Sequence, residues 1–413
     1  MKSLLKKIGL NRQHQSGFRV FRLKPVNRPA GRVLISMGSL VYSELRDGLP
    51  IRTLHPAAWK NWNLARTFLD LGFQIDAAPS DAQPLFAGKS FDVVIDVRSN
   101  LQHLSEVLAS HGTRIMFPQF CHWALHNGGQ LQRYQNLLLR SGIALQPSRL
   151  ISYTDSVECA DRIVTPGSAF STRGFSHTGA AIYHINQAPP NATMQFVKRD
   201  FDSARKHFLW ISGSGAVHKG LDLLLEAFSQ RPELHLHICG DISSEQPFTR
   251  AFDHLLRERT NVHLHGWMDT QTESWLELCR RCAFVVLHSA SEVTATSPIA
   301  GMYTGMIPIV NEGADQATMD FGCLLRQATV GELLDALDRM SSASTQELEQ
   351  QSQASFDHAA HRYTQSGFML SLRSAMCQAL GISREPEWDL MDRPGAVPNR
   401  LPVIDDVTRE YAG

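Results

Sequence analysis

Short apolar runs alternate along the chain with stretches whose apolar residues recur at helical spacing. The runs that predict buried strands of a first parallel sheet are residues 32–37, 73–77, 91–97, 113–117 and 162–165. A second series of the same kind starts at about Phe208. Because repeated strand and helix units build doubly wound parallel sheets, the pattern predicts an α/β protein with two such domains.

A glycine-rich turn follows the first strand of the second series. The apolar run 208–211 ends at Ser212-Gly213-Ser214-Gly215, and Lys219 then precedes a helix with apolar residues on one face. Glycines let backbone N–H groups approach an anion closely, and a helix N-terminus favours negative charge. The turn therefore predicts a phosphate site, although a plain strand-to-helix connection with a surface lysine would have the same local pattern.

A second polar segment follows a later strand of the same series. The apolar run 283–287 leads into Ser289 and Glu292, and Thr296 and Ser297 then begin a helix. In an open parallel sheet, ligands bind outside the carboxyl ends of the strands. Glu292 is therefore expected to accept hydrogen bonds from a ligand's hydroxyl groups; the alternative is an ordinary solvated loop acid.

These residues resemble the C-terminal domain of the GT-B-fold glycosyltransferases of the group-1, or family-4, type. The matching positions are Lys219-Gly220, Gly240, Gly266, Ser289, Glu292, Gly305 and Pro308. The resemblance implies two Rossmann-like doubly wound domains that face each other across a cleft. It also implies that Lys219 binds the donor diphosphate and Glu292 the donor sugar, with retention of configuration and with no metal or other cofactor.

Two positions depart from that family's pattern. The arginine that the family carries in the glycine turn is replaced at about Ser214 or Gly215, and Ala300 stands where a second glutamate would hold the nucleotide ribose. Hydroxyls at Thr294, Thr296 and Ser297 are the expected substitutes. The departures motivate an alternative, a degenerate GT-B protein that binds a nucleotide or glycan without transfer; a non-hydrolysing sugar-nucleotide epimerase is a further alternative.

The N-terminal half offers histidines as site residues. His122 and His126 follow the strand at 113–117, and the resemblance implies that one of them faces the donor sugar, without deciding between them. His55 is a candidate for acceptor contacts. The predicted catalytic residues are Glu292, Lys219 and His122. The predicted donor-binding residues are Gly213, Ser214, Gly215, Lys219, Gly240, Ser289, Glu292, Thr296 and Ser297.

The amino-acid composition limits which binding partners are expected. The 40 basic and 40 acidic residues cancel, so no overall field attracts nucleic acid. The seven cysteines form no disulfide or zinc framework, which favours a reducing cytoplasm, and no apolar stretch is long enough to span a bilayer. The expected partners are a nucleotide-sugar donor and a glycan or lipid-linked acceptor, in a setting such as polysaccharide or glycoconjugate assembly.

The N-terminus is locally basic. Nine lysines and arginines precede Glu44, the first acid, and Leu4, Leu5 and Ile8 can share one helical face. A solvated extension would explain this segment, whereas peripheral contact with an anionic membrane at the inner face would suit a lipid-linked acceptor.

The predicted division of the chain combines these observations. Its parts are a basic extension (1–28), an acceptor-side Rossmann-like domain (29–186), a linker (187–206), a donor-side Rossmann-like domain (207–365), a C-terminal helix (366–381) and an extended or disordered tail (382–413).

Overall fold

The computed structural model describes residues 19–37, 56–79, 88–316, 320–383 and 402–411, together with residues 42 and 46. Its contacts divide the chain into two compact units. Unit 1 comprises Met1–Phe117, Glu158–Asp161 and Arg384–Gly413, and unit 2 comprises Pro118–Val157 and Arg162–Ser383. The N-terminal basic segment up to residue 18 and His55 lie outside the described residues.

The strands of the described residues are β1 (Phe21–Leu23), β2 (Gly31–Ser36), β3 (Phe73–Ala78), β4 (Phe91–Asp96), β5 (Leu108–Met116), β6 (Arg162–Thr165), β7 (Ala181–His184), β8 (His207–Ile211), β9 (His235–Cys239), β10 (Val262–Gly266), β11 (Phe284–Leu287), β12 (Ile307–Asn311), β13 (Cys323–Leu325) and β14 (Ile404–Asp406).

The α-helices of the same residues are α1 (Pro56–Asp70), α2 (Leu101–Leu104), α3 (Trp123–Ser141), α4 (Ala169–Thr172), α5 (Phe201–Ala204), α6 (Leu221–Ser229), α7 (Gln246–Ala251), α8 (Asp253–Arg257), α9 (Glu273–Arg281), α10 (Thr296–Met302), α11 (Val330–Ser342), α12 (Thr345–Arg362) and α13 (Gln365–Ala379). No helix among them is both long and apolar enough to cross a bilayer.

Unit 1 is built on strands in the order β14-β1-β3-β2-β4-β5. Strands β2 to β5 pair in parallel, and β1 is antiparallel to both β3 and β14. The central strands are buried on both faces, as the runs Val33–Ile35 and Val93–Ile95 show. The apolar runs at 32–37, 73–77 and 91–97 therefore form the predicted parallel strands.

The predicted N-terminal extension and C-terminal tail contain ordered strands of this sheet. In β1, Phe21 and Leu23 are fully buried, while Arg22 donates from Nε to Asp76 Oδ1 at 2.7 Å. Tyr411 donates to the same carboxylate through its hydroxyl. Residues 21–23 thus belong to the sheet and not to a solvated extension, since a buried acid neutralises the basic residue that alternates with the apolar ones.

Unit 2 contains a fully parallel sheet in the order β10-β9-β8-β11-β12-β13. The residues of this unit also include β6, which forms the predicted strand at 162–165, and β7, which pairs with β6 in parallel. One face of the sheet packs on α6 and α11, and the other packs on α9. The chain runs from β8 outward to β10, then returns to β11 and runs outward the other way. Strands β8 and β11 are therefore the topological switch point, the usual ligand position in such sheets.

Helix α3 belongs to unit 2, whereas the sequence placed it in the N-terminal domain. Tyr134 and Leu137 are part of the apolar core around α6, and Arg140 bridges Asp222 at 2.8 Å and Glu226 at 2.7 Å. These contacts join α3 to α6, and the alternating strand and helix pattern contains no signal for them. The exact domain boundaries proposed from the sequence stay a prediction.

Five histidines form a ladder across one face of β8, β9 and β10. His237 lies at its centre: Nε2 is 2.9 Å from His207 Nδ1, and Nδ1 is 3.0 Å from His265 Nε2. His235 Nδ1 is 3.1 Å from His263 Nε2. Burial lowers the pKa of each, to about 2 for His237 and to about 4 for His207. The ladder is therefore built from neutral rings, because a doubly protonated imidazole can only donate.

The ladder should make folding stability depend on pH. Unfolded histidines bind protons below about pH 6.5, whereas the folded ladder resists protonation, so the free energy of unfolding should fall as the pH drops from 7 to 5. In His237→Gln this fall in the free energy of unfolding should be smaller, by on the order of 1–2 kcal/mol between pH 7 and pH 5. Urea unfolding at both pH values measures it, with His361→Gln, outside the ladder, as the control. Equal slopes in wild type and His237→Gln would contradict the ladder as the source.

The membrane hypothesis can be tested without disturbing β1. Removing residues 1–18 deletes Lys2, Lys6, Lys7 and Arg12 but leaves the strand at 21–23. Each basic residue near an anionic surface contributes about 1 kcal/mol, and salt screens it. Full-length protein should sediment with phosphatidylserine vesicles at low salt, and the truncated protein should not. Equal sedimentation of both would leave the solvated extension as the explanation.

Candidate functional site

Lys219 and Glu292 meet at the switch point. Lys219 Nζ is 2.5 Å from Glu292 Oε1, and Ser289 Oγ donates to the same oxygen at 2.8 Å. Both charged side chains are mostly enclosed, with 12% and 17% of their surface exposed. The structure thus brings together the lysine of the glycine turn and the Ser-x-x-Glu segment, two motifs separated by about seventy residues of sequence.

Gly220 makes this meeting possible. It has a φ of 73°, and a Cβ at this position would lie 2.6 Å from the carbonyl oxygen of His288. Any side chain here would collide with the end of β11, in a conformation that other residues rarely adopt. The Lys-Gly pair therefore combines a charged side chain with a backbone that passes close to the His288 carbonyl.

The surrounding charges keep Glu292 ionised. Burial disfavours its carboxylate, but the Lys219 ammonium and the nearby His218 outweigh burial and lower the pKa of Glu292 well below its usual range. His218 Nε2 lies 3.6 Å from Glu292 Oε1 and 3.0 Å from the Ser291 carbonyl oxygen. Burial lowers the pKa of His218 despite the neighbouring acid. The ion pair thus consists of a carboxylate and an ammonium, with a histidine beside them.

His126 contacts this segment. His126 Nδ1 lies 2.8 Å from Ser291 Oγ, and its ring centroid is 5.1 Å from that of His218. Burial lowers the pKa of His126 to about 4, so the ring is neutral near pH 7. His122 instead caps α3, where its Nδ1 accepts from the Ala124 N–H at 3.2 Å. The sequence left the two histidines undecided; the structure places His126 beside Ser291 and His122 at the start of α3, and the role of either one stays a prediction.

Arg133 fixes the end of β11 from α3. This buried guanidinium donates from Nη2 to the His288 carbonyl oxygen at 2.5 Å and also contacts His288 Nδ1. The other ring nitrogen, Nε2, lies 2.8 Å from the Gln327 carbonyl oxygen. Burial, reinforced by Arg133, lowers the pKa of His288 to about 3. The residue before Ser289 is therefore held on both sides.

The glycine turn is already bound to an acid. The N–H groups of Gly215 and Ala216 donate to Glu245 Oε1 at 2.6 and 3.2 Å. Arg149 approaches the same turn and donates from Nη1 to Ser214 Oγ at 3.0 Å. Sequence reasoning missed both residues, because Glu245 and Arg149 lie far along the chain from the turn and belong to no motif.

Two predicted glycines line the turn without contacting Lys219 or Glu292. A Cβ at Gly213 would meet open space, whereas one at Gly240 would lie 2.1 Å from the Ser212 carbonyl oxygen. Gly240 therefore lets the ends of β8 and β9 approach each other. Among the described residues, no group of three His, Cys, Asp or Glu side chains around Lys219 and Glu292 is placed to share a metal ion.

Thr294 is hydrogen-bonded to a buried acid, Asp315. Its N–H donates to Asp315 Oδ2 at 3.0 Å, and Ser171 Oγ donates to the same oxygen at 2.8 Å. Ser168 donates to Asp315 through both its N–H and its hydroxyl. A cavity of about 140 Å³ adjoins these groups and is lined neither by Lys219 nor by Glu292. Thr294 is thus part of a structural network, since its hydroxyl also donates to the Pro166 carbonyl oxygen at 2.7 Å.

Thr296 and Ser297 remain as half-exposed hydroxyls in the first turn of α10, whereas Ala300 is buried. They precede Ala300 by four and three residues, the spacings that place side chains on one helical face. The predicted substitutes for the absent carboxylate are therefore reduced from three hydroxyls to these two.

Comparisons with known proteins show what this chain is similar to. Residues 196–346, which are less than half of the chain, match the family model described as Glycosyl transferases group 1. The matched segment contains Lys219, Glu245 and Glu292. No curated protein matches the chain.

Solved structures are similar to the chain as a whole. The sucrose-phosphate synthase from Thermosynechococcus elongatus has a TM-score of 0.59 at 12% identity over 86% of this chain and 100% of that one. The lipopolysaccharide outer core galactosyltransferase WaaB in its apo form has a TM-score of 0.54 at 14% identity over 84% and 99%. Anabaena Alr3699/HepE in complex with UDP and glucose has a TM-score of 0.52 at 13% identity over 85% and 99%. The chain covers 54% of the length of TarM, with a TM-score of 0.47.

At these identities the similarity shows the fold. The chain has the two Rossmann-like α/β domains of the GT-B glycosyltransferases, as predicted from its strand and helix pattern. The roles of the individual site residues stay predictions.

The two α10 hydroxyls should contribute to nucleotide binding. If Thr296 or Ser297 holds the ribose, replacing either by Ala should weaken binding of the preferred nucleoside diphosphate by about 0.5–1.5 kcal/mol, the net value of a neutral hydrogen bond. Calorimetry on both variants measures this, with Ser366→Ala in α13 as the control. Unchanged affinity in both variants would show that ribose is held elsewhere or not at all.

Proposed function

We propose that this protein is a glycosyltransferase that moves a sugar from a nucleoside-diphosphate donor to a hydroxyl acceptor. The observation that carries the proposal is the contact between Lys219 and Glu292 at the switch point, beside the glycine turn. A cation there can bind a diphosphate, and an ionised carboxylate can accept hydrogen bonds from sugar hydroxyls.

The comparisons support this chemistry. The family model covers the segment that contains both residues, and the similar structures include a UDP and glucose complex, a galactosyltransferase and a sucrose-phosphate synthase. UDP is therefore the first nucleotide to test.

The two charged groups have separable tasks in the proposed reaction. Lys219 would stabilise the charge that develops on the diphosphate as the bond to the sugar breaks, which is a task for a preorganised cation. Glu292, held by Ser289 and Lys219, would orient the donor sugar. Retention of configuration and independence of metal remain part of the proposal, and no side chain is assigned as a covalent nucleophile.

The proposal for the acceptor is based on the sequence. A glycan or lipid-linked hydroxyl acceptor, in polysaccharide or glycoconjugate assembly, fits the proposed transfer and the basic N-terminus. Peripheral contact with an anionic membrane belongs to the same hypothesis.

A second candidate is a GT-B protein that binds nucleotide or glycan without transfer. It is favoured by Ala300, which cannot hold ribose hydroxyls. Incubating the full chain with a panel of sugar nucleotides distinguishes the two, because release of nucleoside diphosphate requires turnover and binding alone does not.

Changing either member of the ion pair should abolish most activity. Charge-assisted hydrogen bonds contribute roughly 1.5–3 kcal/mol, so Lys219→Ala and Glu292→Gln should each reduce the rate of nucleoside diphosphate release at least about tenfold. Exposed Lys198→Ala and Glu273→Gln are the matched controls. Thermal unfolding of each variant checks that the fold survives. Wild-type rates in both site variants would remove the basis of the assignment.

A further inference from the structure

The charge at the proposed diphosphate site is incompletely supplied by Lys219. Its ammonium is already paired with Glu292 at 2.5 Å, and the two charges offset each other. A nucleoside diphosphate carries more than one negative charge at neutral pH. Binding it beside a carboxylate therefore requires a further cation, because an uncompensated anion in a partly enclosed site is costly.

The backbone of the glycine turn cannot fill this need as it stands. The Gly215 and Ala216 N–H groups donate to the Glu245 carboxylate, with distances of 2.6 Å from Gly215 and 3.1–3.2 Å from Ala216. These donors, which the sequence suggested for phosphate, thus already hold an anion. A diphosphate at this turn must be held mainly by side chains or must displace Glu245.

Arg149 is the cation that reaches the turn. Its Nη1 donates to Ser214 Oγ at 3.0 Å, whereas its Nε is enclosed and has no hydrogen-bond partner among the described residues. Its side-chain stem lies against Gly215, where an added Cβ would be 2.3 Å from Arg149 Cδ. The absence of a side chain at Gly215 is therefore what admits the arginine to the turn.

The backbone of Arg149 is fixed toward the other half of the site. Its N–H donates to Gln130 Oε1 at 2.8 Å, and its carbonyl oxygen lies 2.8 Å from His126 Nε2. Because a carbonyl only accepts, His126 carries its proton on Nε2, and Nδ1 accepts from Ser291 Oγ at 2.8 Å. His126 thus connects the arginine to the segment that carries Glu292.

We propose that Arg149 is a second cationic ligand of the donor diphosphate, acting with Lys219 across the glycine turn. This inference rests on the proposed function and specifies its donor site. A guanidinium can bind phosphate oxygens through its terminal N–H groups, and Arg149 Nη1 already lies at the turn beside Ser214. Arg149 therefore supplies from outside the turn a positive charge that residues 212–216 lack.

The test separates diphosphate binding from nucleoside binding. Calorimetry on the full chain uses UDP, GDP and ADP to find the nucleotide that wild type binds most tightly, then the matching nucleoside and inorganic pyrophosphate. Arg149→Ala should weaken binding of that diphosphate and of pyrophosphate about tenfold or more and leave nucleoside binding unchanged. Arg149→Lys should lie between, since an ammonium keeps the charge but loses the planar fork.

Two further variants control for a loss of affinity that has a cause other than the missing contact between Arg149 and the diphosphate. Arg231→Ala removes a partly exposed arginine that pairs with Asp338 away from the turn, and it should bind as wild type does. Adding Ser214→Arg to Arg149→Ala places a guanidinium on the turn itself and should restore much of the lost affinity. A melting temperature is measured for every variant.

The outcomes separate the two proposals. If wild type binds a diphosphate and Arg149→Ala binds it equally well, the role of Arg149 is wrong while the proposed function stands. If the variant loses nucleoside and diphosphate alike, or restoration fails with the fold intact, Arg149 is structural and the inference is also overturned. If wild type binds none of the diphosphates at millimolar concentration, the proposed function fails together with it.

Discussion

The contact between Lys219 and Glu292 is the constraint on which the site depends. It requires β8 and β11 to be neighbours, with Phe284 opposite Phe208, and it requires the backbone at Gly220 to approach the His288 carbonyl. Neither residue could be enclosed alone, because an isolated charge in such a place would be neutralised or excluded. Together they stay ionised, and the order of strands in the sheet decides that they meet.

Further polar contacts, all within unit 2, support this pair. Helix α3 and the segment after it deliver Arg133 to the end of β11, His126 to Ser291, and Arg149 to the glycine turn. Each of these contacts joins segments that are distant in sequence. The carboxyl edge of the sheet is therefore organised by one helix and the segment that follows it.

Sequence periodicity predicted the fold because buried parallel strands are nearly all apolar. It also found Lys219 and Glu292, since local motifs mark them. It missed β1, because Arg22 hides a buried strand in a basic segment, and it missed β14, because the surrounding residues lack periodicity. Arg149 and Glu245 could not be predicted, since a side chain that reaches across from another element leaves no trace in local spacing. The histidine ladder was detectable in principle: His-x-His occurs at 235–237 and again at 263–265.

Lys219 and Gly220 are adjacent in sequence, but different interactions restrict which residue can occupy each position. Position 219 is restricted by its ion pair with Glu292, and position 220 by a close backbone contact. Loss of the lysine would leave the enclosed Glu292 carboxylate without its cation but would not crowd the backbone. Loss of the glycine would place a Cβ against the His288 carbonyl and force the segment before α6 away from the end of β11. A substitution at 219 would therefore disturb the charge of the site, whereas one at 220 would disturb its backbone geometry.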